Sequence, residues 1–418
     1  MYQRTVLPNG IRIITESLPH VRSVTLGAWF EVGSRHEQPQ DWGMSHFVEH
    51  MMFKGTSTYL ARDIAEIMDQ RGGHLNAFTE KEQTCYYFKV LDEHFETAAD
   101  LLQDMLLDSL FLPEEVEKEK NVVLEELRMY EDSPEDFVHD LYSDVLWPHH
   151  ALGKNILGTE STIEGFTSER LKDYVAEHYT ADRLVISCVG NISHDQVVEA
   201  FAQAFATLPR GAKGTVCQPQ YVAGSCRFHD RDIEQVHLCL GAPALSRRDE
   251  ARYALHLLDT MIGGGVSSLL FQQLREELGL VYSTYSFNSL YSDVGFYGIY
   301  GGFFPGNWEK VWDRLCAMFS ELPQLLTEEM LVRAKQQVRS SLVLSLESTS
   351  SRMFRLARGE IDEGGPLAPE AVLSRIEAVS VEQVWELAEQ IYNPQRWSWA
   401  AVGPSRLVRE DILCRKIC

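Results

Sequence analysis

The sequence lacks long apolar runs, an apolar leader and closely spaced cysteines, and each absence excludes a class of protein. A membrane-spanning helix needs about 18 to 20 consecutive apolar residues, and no run reaches that length. The opening segment MYQRTVLPNGIRIITE has no apolar core of the kind found in secretory signals. The eight cysteines include no C-x-x-C pair, which argues against zinc knuckles and thioredoxin-like motifs. We therefore expect a cytoplasmic protein with reduced thiols and no membrane contact.

Positive charge is also scarce. The chain has 38 Lys and Arg residues against 61 Asp and Glu residues, which gives a net charge of −23. Without a compensating basic stripe, this balance argues against binding to nucleic acid. It is compatible with a cavity that attracts basic peptides, and equally with an acidic surface that only keeps the protein soluble.

The length and composition predict a globular protein of at least two domains. The chain has 418 residues, of which 44% are hydrophobic and 24% are charged. A stretch rich in Pro, Gly and Ser without periodicity predicts a linker at 211–226. We therefore expect one domain at 1–210 and a second at 227–418.

The two halves resemble each other as a diverged repeat. Residues 167–190 align without a gap to 380–403, and the Leu-Pro-Glu-Glu at 112–115 matches Leu-Thr-Glu-Glu at 326–329. The near-constant offset of 213 to 214 residues favours duplication over coincidence. Periodicity predicts the elements of the first half as strands at 23–30, 74–80 and 84–91 and helices at 41–53, 60–71, 93–109 and 113–131.

The segment His46-Phe47-Val48-Glu49-His50 carries the clearest chemical signal. Two histidines four residues apart on a helix lie on one face, so both imidazoles can reach one metal ion. Glu49 precedes the second histidine and is close enough to meet a water at that metal. The order H-x-x-E-H is the inverted zincin signature. A catalytic zinc usually takes three protein ligands, so the motif requires one more.

A predicted helix at 113–131 offers carboxylates for that third position. Glu119 and Glu126 are seven residues apart and therefore share a helix face. The spacing alone leaves a solvated acidic face as the alternative. At the 214-residue offset these positions become Arg333 and Ser340, so the second copy cannot build the same metal site. We expect the second copy to have another task, such as closing a cavity.

Together these residues resemble the pitrilysin and mitochondrial processing peptidase family. The resemblance covers essentially the whole chain and is closest to the small two-domain bacterial members. Beside the H-x-x-E-H motif and Glu126, it is carried by Gly43-Met44-Ser45, Met51-Met52-Phe53-Lys54-Gly55-Thr56, Gly72-Gly73-His74-Leu75-Asn76-Ala77 and Ile156-Leu157-Gly158-Thr159. It implies an α+β fold of two homologous LuxS/processing-peptidase-like domains that form a clamshell around a cavity.

The resemblance also assigns roles around a single zinc ion per chain. His46, His50 and Glu126 would bind the metal. Glu49 would take a proton from the attacking water and pass it to the leaving amine. Glu119 would hold a ligand histidine or the water in place.

The second half supplies a further match to the family. In the family, an Arg and a Tyr seven residues apart reach across the cavity to the substrate, and Arg275 and Tyr282 occupy those positions. A cation and a phenol there could stabilise the oxyanion or hold the substrate carbonyl. An interdomain salt bridge and a half-buried tyrosine are the alternative. Leu269 departs from the pattern, because an arginine often follows the two serines at this point.

The expected substrate contacts lie on a strand and a helix of the first half. By resemblance, Asn76, Ala77 and Phe78 belong to an edge strand that pairs with the substrate main chain, although an ordinary sheet strand is the alternative. Asp136 and Asp140 match acidic positions that bind basic residues near the cleaved bond. A solvated helix face would have the same spacing.

The sequence therefore predicts a zinc metalloendopeptidase that hydrolyses peptides or unfolded segments. Basic, presequence-like peptides are one candidate substrate class, and a homodimer is expected because small family members are often dimers. A non-catalytic scaffold or partner subunit of the same family is the alternative, but such proteins typically lose zinc ligands. A peptidase that is active only with a partner chain is a third option.

Overall fold

The chain forms two compact units, each built from both halves of the sequence. The computed structural model describes residues 2–211 and 217–407. The first unit contains Met1–Arg128, Asn155–Cys217 and Leu344–Pro366. The second contains the remainder, Met129–Lys154, Gln218–Val343 and Leu367–Cys418.

A six-stranded mixed sheet forms the centre of the first unit. Its order is β1-β2-β6-β3-β5-β4, so β4 forms one edge. The strands are β1 (Tyr2–Val6), β2 (Arg12–Ser17), β3 (Ser23–Phe30), β4 (His74–Thr79), β5 (Thr84–Leu91) and β6 (Leu184–Gly190). β3 and β6 lie in the middle because their side chains are apolar or small on both faces and are nearly all buried.

The second unit repeats this sheet without its first strand. The order β7-β11-β8-β10-β9 corresponds strand for strand to β2-β6-β3-β5-β4. The strands are β7 (Cys226–Asp230), β8 (Val236–Ala244), β9 (Ser283–Leu290), β10 (Gly295–Phe303) and β11 (Ser398–Gly403). The shared topology confirms the predicted duplication and the α+β fold.

Helices cover the faces of both sheets. Within the described residues of the first unit they are α1 (Met44–Met51), α2 (Ala61–Asp69), α3 (Phe95–Asp108), α4 (Pro113–Asp132, whose last turn enters the second unit), α6 (Glu160–Glu164), α7 (Ser168–His178), α8 (His194–Ala204) and α12 (Thr349–Glu363). The second unit contains α5 (Pro134–Leu146), α9 (Arg252–Gly263), the π-helix Phe271–Glu277, α10 (Trp308–Leu325), α11 (Glu328–Ser345, whose end enters the first unit), α13 (Pro369–Ala378) and α14 (Val381–Ile391).

The helices α5 and α12 are exchanged between the two halves of the sequence, because each packs on the sheet formed by the other half. α12 packs on β3 and β6 of the first sheet, and α5 packs on β8 and β11 of the second. Met353 of α12 accepts a hydrogen bond from the Trp29 indole at 3.4 Å, and Met353 and Leu356 join the buried cluster on that sheet face. At one end of α12, Arg4 donates two hydrogen bonds of 2.9 Å to the buried Glu360.

Because of this exchange, the compact units do not coincide with the contiguous segments 1–210 and 227–418. The sequence pattern shows that α5 and α12 each have an apolar face. It does not show which sheet that face covers. The predicted strands and helices of the first half are each present, with ends that differ by at most a few residues.

The cysteines depart in one place from the expectation of reduced thiols. Cys85, Cys188, Cys217, Cys226 and Cys239 are free. Cys316, by contrast, is disulfide-bonded. The absence of a C-x-x-C pair argued against zinc knuckles and thioredoxin-like motifs, and it does not bear on a bridge between distant cysteines. Among the helices of the described residues, none is both long and apolar enough to cross a membrane.

Candidate metal centre

The H-x-x-E-H segment lies in the helix α1. A carboxylate from a residue that precedes the helix holds its first turn. Gly43 precedes the helix with φ +94°, and a Cβ there would lie 2.4 Å from the Leu157 carbonyl oxygen. Glycine therefore suits the position, but it offers no side chain to cap the helix. The buried Glu37 supplies that cap, because its two carboxylate oxygens accept hydrogen bonds from the Gly43 and Ser45 N–H groups at 2.8 and 2.7 Å.

Three predicted ligands come together where α1 meets α4. Oε2 of Glu126 lies 3.8 Å from Nε2 of His46 and 3.5 Å from Nε2 of His50. The three ligand atoms all lie within 4.8 Å of one another. Within the described ranges this is the one such group of His, Cys, Asp or Glu residues.

This donor set fits zinc. Two imidazole nitrogens and one carboxylate oxygen are the ligands of many catalytic zinc sites, where bonds of about 2.0–2.2 Å in a tetrahedron hold ligand atoms about 3.3 Å apart. The two distances from the Glu126 oxygen to the imidazole nitrogens, 3.8 and 3.5 Å, are close to that separation. Burial, and after it the charge of His50, lowers the pKa of His46 to about 3. Its imidazole is therefore neutral at pH 7 and has a lone pair for a metal.

Glu119 contacts His50, the second histidine of the predicted ligand set. The Nδ1–H of His50 donates to Oε1 of Glu119 at 2.8 Å, which leaves Nε2 facing Glu126. The Glu119 side chain is only 4% exposed. Burial alone would raise the pKa of Glu119, but hydrogen bonds from His50 and Lys54 outweigh it and lower the pKa. The geometry is that of a carboxylate holding a metal-binding imidazole.

Glu49 is held by a residue that the sequence did not single out. Burial raises the pKa of Glu49, and the hydroxyl of Thr79 opposes this by donating to its Oε2 at 2.5 Å. Thr79 is the last residue of β4, and α1 packs against that strand. The only sequence signal was strand alternation, which places Thr79 on the same face as Ala77.

The three predicted substrate-binding residues of β4 have different surroundings. β4 pairs with β5 only, so within the described chain its outer edge has no partner strand. Asn76 is exposed and Ala77 is half-buried. The Phe78 ring packs edge-on against Trp29 and Phe354, at 5.4 and 5.8 Å between ring centroids. The Phe78 ring is therefore part of the apolar cluster on this sheet face, and substrate binding by β4 stays a prediction.

The two predicted acidic residues lie on α5 in the second unit. Asp136 is exposed and Asp140 is half-buried. Burial, and after it the charges of Asp140 and Asp136, raises the pKa of the Tyr130 hydroxyl, so both carboxylates lie near that phenol. Their role in substrate binding stays a prediction.

Arg275 and Tyr282 contact each other in the second unit. Arg275 belongs to the π-helix Phe271–Glu277, a rare form that is frequent at functional sites. Its guanidinium carbon lies 5.6 Å from the Tyr282 ring centroid and 4.8 Å from that of Phe271. Tyr282 is 71% exposed, so it is not the half-buried tyrosine of the alternative interpretation. Leu269 packs against the apolar core of this unit.

The duplicated α+β fold and the H-x-x-E-H helix with a distant glutamate define the inverted zincin class. Comparison with known families is in agreement. Residues 12–160 match the family model described as insulinase (peptidase family M16), and residues 165–338 match the model described as the peptidase M16 inactive domain. The chain belongs to the M16, or pitrilysin, family of peptidases, as the motifs indicated.

Similar proteins cover nearly the whole chain. The uncharacterized zinc protease YmxG of Bacillus subtilis is 43% identical over 97% of this chain and 99% of its own length. An uncharacterized zinc protease of Streptomyces coelicolor is 40% identical over 96% of this chain and 89% of its own. A protease from Helicobacter pylori of known crystal structure shares the fold, with a TM-score of 0.89 at 19% identity over 97% of this chain and 99% of that one.

Proposed function

We propose that this protein is a zinc metalloendopeptidase that binds one zinc ion per chain. The observation that carries the proposal is the convergence of His46, His50 and Glu126, with Glu49 on the same helix as the two histidines. Relatives that are 43% and 40% identical are named zinc proteases, which supports the same assignment.

The side chains around the site have separate roles in hydrolysis. When bound, zinc acts as a Lewis acid toward the scissile carbonyl and makes water a stronger nucleophile. Glu49 accepts the proton of the attacking water and returns it to the leaving amine. Thr79 holds the Glu49 carboxylate, and Glu119 holds the imidazole of His50.

The substrate is an extended peptide that adds to the free edge of β4. Main-chain pairing there binds a peptide without strict sequence choice, and Asn76 and Ala77 lie in that edge. Basic residues of the peptide would be bound by Asp136 and Asp140. By the family resemblance, Arg275 and Tyr282 bind the substrate carbonyl.

The proposal is tested on the purified protein with a library of fluorogenic peptides. We expect cleavage that a zinc chelator abolishes and added zinc restores, with about one zinc per chain by metal analysis. Cleavage sites enriched in basic residues would support the presequence-like substrate class. Light scattering checks the homodimer, which stays a prediction.

Glu49→Gln separates catalysis from metal binding. We expect zinc content equal to wild type and loss of most activity, since the amide cannot carry the proton. A zinc-loaded Glu49→Gln enzyme that cleaves at the wild-type rate would rule out the assignment of the base. A wild-type protein that binds zinc and peptides without cleaving any would instead favour the non-catalytic scaffold.

A further inference from the structure

Lys54 lies just beyond α1 and forms an ion pair next to the metal ligands. Its Nζ is 2.5 Å from Oε2 of Glu119, and Oε1 of the same carboxylate accepts the hydrogen bond from His50. The side chain of Glu119 is 4% exposed and that of Lys54 is 30% exposed. A nearly buried carboxylate therefore links a lysine to a ligand histidine.

The two ligand histidines differ in whether the Nδ1 atom has a hydrogen-bond partner. Nδ1 of His50 has a carboxylate partner at 2.8 Å. Nδ1 of His46 is buried and has no hydrogen-bond partner among residues 2–211 and 217–407. Among the described residues, a carboxylate therefore holds the Nδ1 atom of His50 but not that of His46. The orientation of the His50 imidazole depends on the position of Glu119.

Glu119 needs a cation to stay where it is. Taking a carboxylate out of water is costly unless its oxygens are paired and hydrogen-bonded. His50 engages one oxygen and Lys54 engages the other. Without the ammonium group, Oε2 would lose its close partner, and rotation of the side chain toward solvent would become favourable. That rotation would break the hydrogen bond to His50.

We propose that Lys54 is a positioning residue of the metal site, which raises zinc affinity by holding Glu119 against His50. The inference rests on the proposed role of His50 as a zinc ligand but not on peptidase activity. The direction of the expected change in zinc affinity also separates two effects of Lys54. Removal of a positive charge near a cation site should strengthen metal binding through space, whereas loss of the Lys54 contact should weaken it.

The experiment compares zinc dissociation constants, measured by competition with a chromophoric chelator. We expect Lys54→Met to weaken zinc binding about 10-fold, the lower end of what loss of an outer-shell partner costs. Lys54→Arg keeps the charge and should restore most of the affinity. Lys118→Met is the matched control, because Lys118 lies on α4 next to Glu119 but pairs with Glu115, at 2.6 Å, and is 69% exposed. The zinc affinity of the Lys118→Met protein should equal or slightly exceed that of wild type.

A double-mutant cycle tests whether Lys54 acts through Glu119. In a Glu119→Gln background, Lys54→Met should have little further effect, since the carboxylate it holds is gone. Thermal unfolding of the metal-free proteins checks that the variants fold. Lys54→Gln repeats the measurement if Lys54→Met does not fold.

The contrary outcomes distinguish a failure of this inference from a failure of the proposed activity. Zinc affinity of Lys54→Met equal to or tighter than wild type, or an equal loss in Lys118→Met, would show that Lys54 does not position the site. Wild-type zinc affinity in His50→Ala would overturn both this inference and the proposed metal site. Zinc-loaded wild-type protein that cleaves no peptide would overturn the proposed activity alone, because the affinity comparison does not depend on cleavage.

Discussion

At the residue scale, the hydroxyl of Thr79 is the contact that fixes the direction of the Glu49 carboxylate. We expect Thr79→Val to lower kcat about 10- to 100-fold, because a hydrogen bond to a charged group contributes about 1.5–3 kcal/mol. KM and zinc content should change little. Thr79→Ser keeps the hydroxyl and should retain most of the rate. Steady-state kinetics of both variants check this, and equal rates for the valine and serine variants would contradict it.

Individual residues of the site also differ in whether they could be predicted from the sequence. His46, His50 and Glu49 follow from spacing within one helix, and Glu126 follows from the family motif. Thr79 escaped notice because it meets Glu49 only through the packing of β4 against α1. Contacts between segments far apart in sequence have no signature in local spacing.

At the scale of the element, α1 depends on the buried Glu37 at its first turn. Burial raises the pKa of Glu37 to about 7, even though the N–H groups of Ser45 and Gly43 and the charge of Lys81 oppose the shift. In turn, burial and then the charge of Glu37 raise the pKa of Tyr174, whose hydroxyl lies 2.7 Å from Ser45 Oγ. The helix that carries the two proposed histidine ligands thus begins in a network of titratable groups.

This shift predicts a pH dependence of stability. The folded-state pKa of Glu37 lies above its ordinary value of 4.5, so folding favours the protonated form. Its contribution is fully present below pH 4.5 and is lost as the pH rises toward 7. Relative to Glu37→Gln, which cannot ionise, wild type should lose up to about 3 kcal/mol of unfolding free energy across that window. Denaturant unfolding from pH 4 to 8 measures the difference.

The exposed Glu93 provides the control for this pH series. Glu93→Gln removes a carboxylate that is exposed and leaves Glu37 in place, so this variant should show the same fall in stability that burial of Glu37 causes in wild type. If wild type instead gains stability over Glu37→Gln as the pH rises, the two N–H donors at the start of α1 outweigh burial.

At the scale of the whole molecule, the exchange of α5 and α12 predicts that neither contiguous half folds alone. A fragment of residues 1–210 lacks α12, whose Met353 and Leu356 together contribute about 3–6 kcal/mol of apolar burial to the first sheet. It also carries α5 without the sheet that covers Tyr142. Since domains are stable by only about 5–15 kcal/mol, the fragment should bind a hydrophobic dye and aggregate.

Co-expression supplies the control for this prediction. Residues 211–418 made together with 1–210 should form a soluble complex, because each fragment then provides the helix that the other lacks. A fragment of residues 1–210 that is soluble alone and unfolds cooperatively would contradict the assignment of α12 to the first unit.

The sequence predicted part of the fold but not this exchange. Alternating and helical periodicities identified the strands β3, β4 and β5 and the helices α1 to α4, and the repeat offset indicated that the second half is a copy of the first. A helix with one apolar face fits either sheet equally well by pattern. The choice between them is made by particular contacts, such as Met353 against Trp29 and Glu360 with Arg4.

The late position of α12 in the chain also sets the order in which the protein can be completed during synthesis. A nascent chain folds from its N-terminus as residues leave the ribosome. His46, His50 and Glu126 all emerge long before Thr349–Glu363, the helix that closes the other face of their sheet. The first unit must therefore wait for most of the polypeptide to be translated, and a truncated translation product would carry all three proposed metal ligands on an incompletely folded unit.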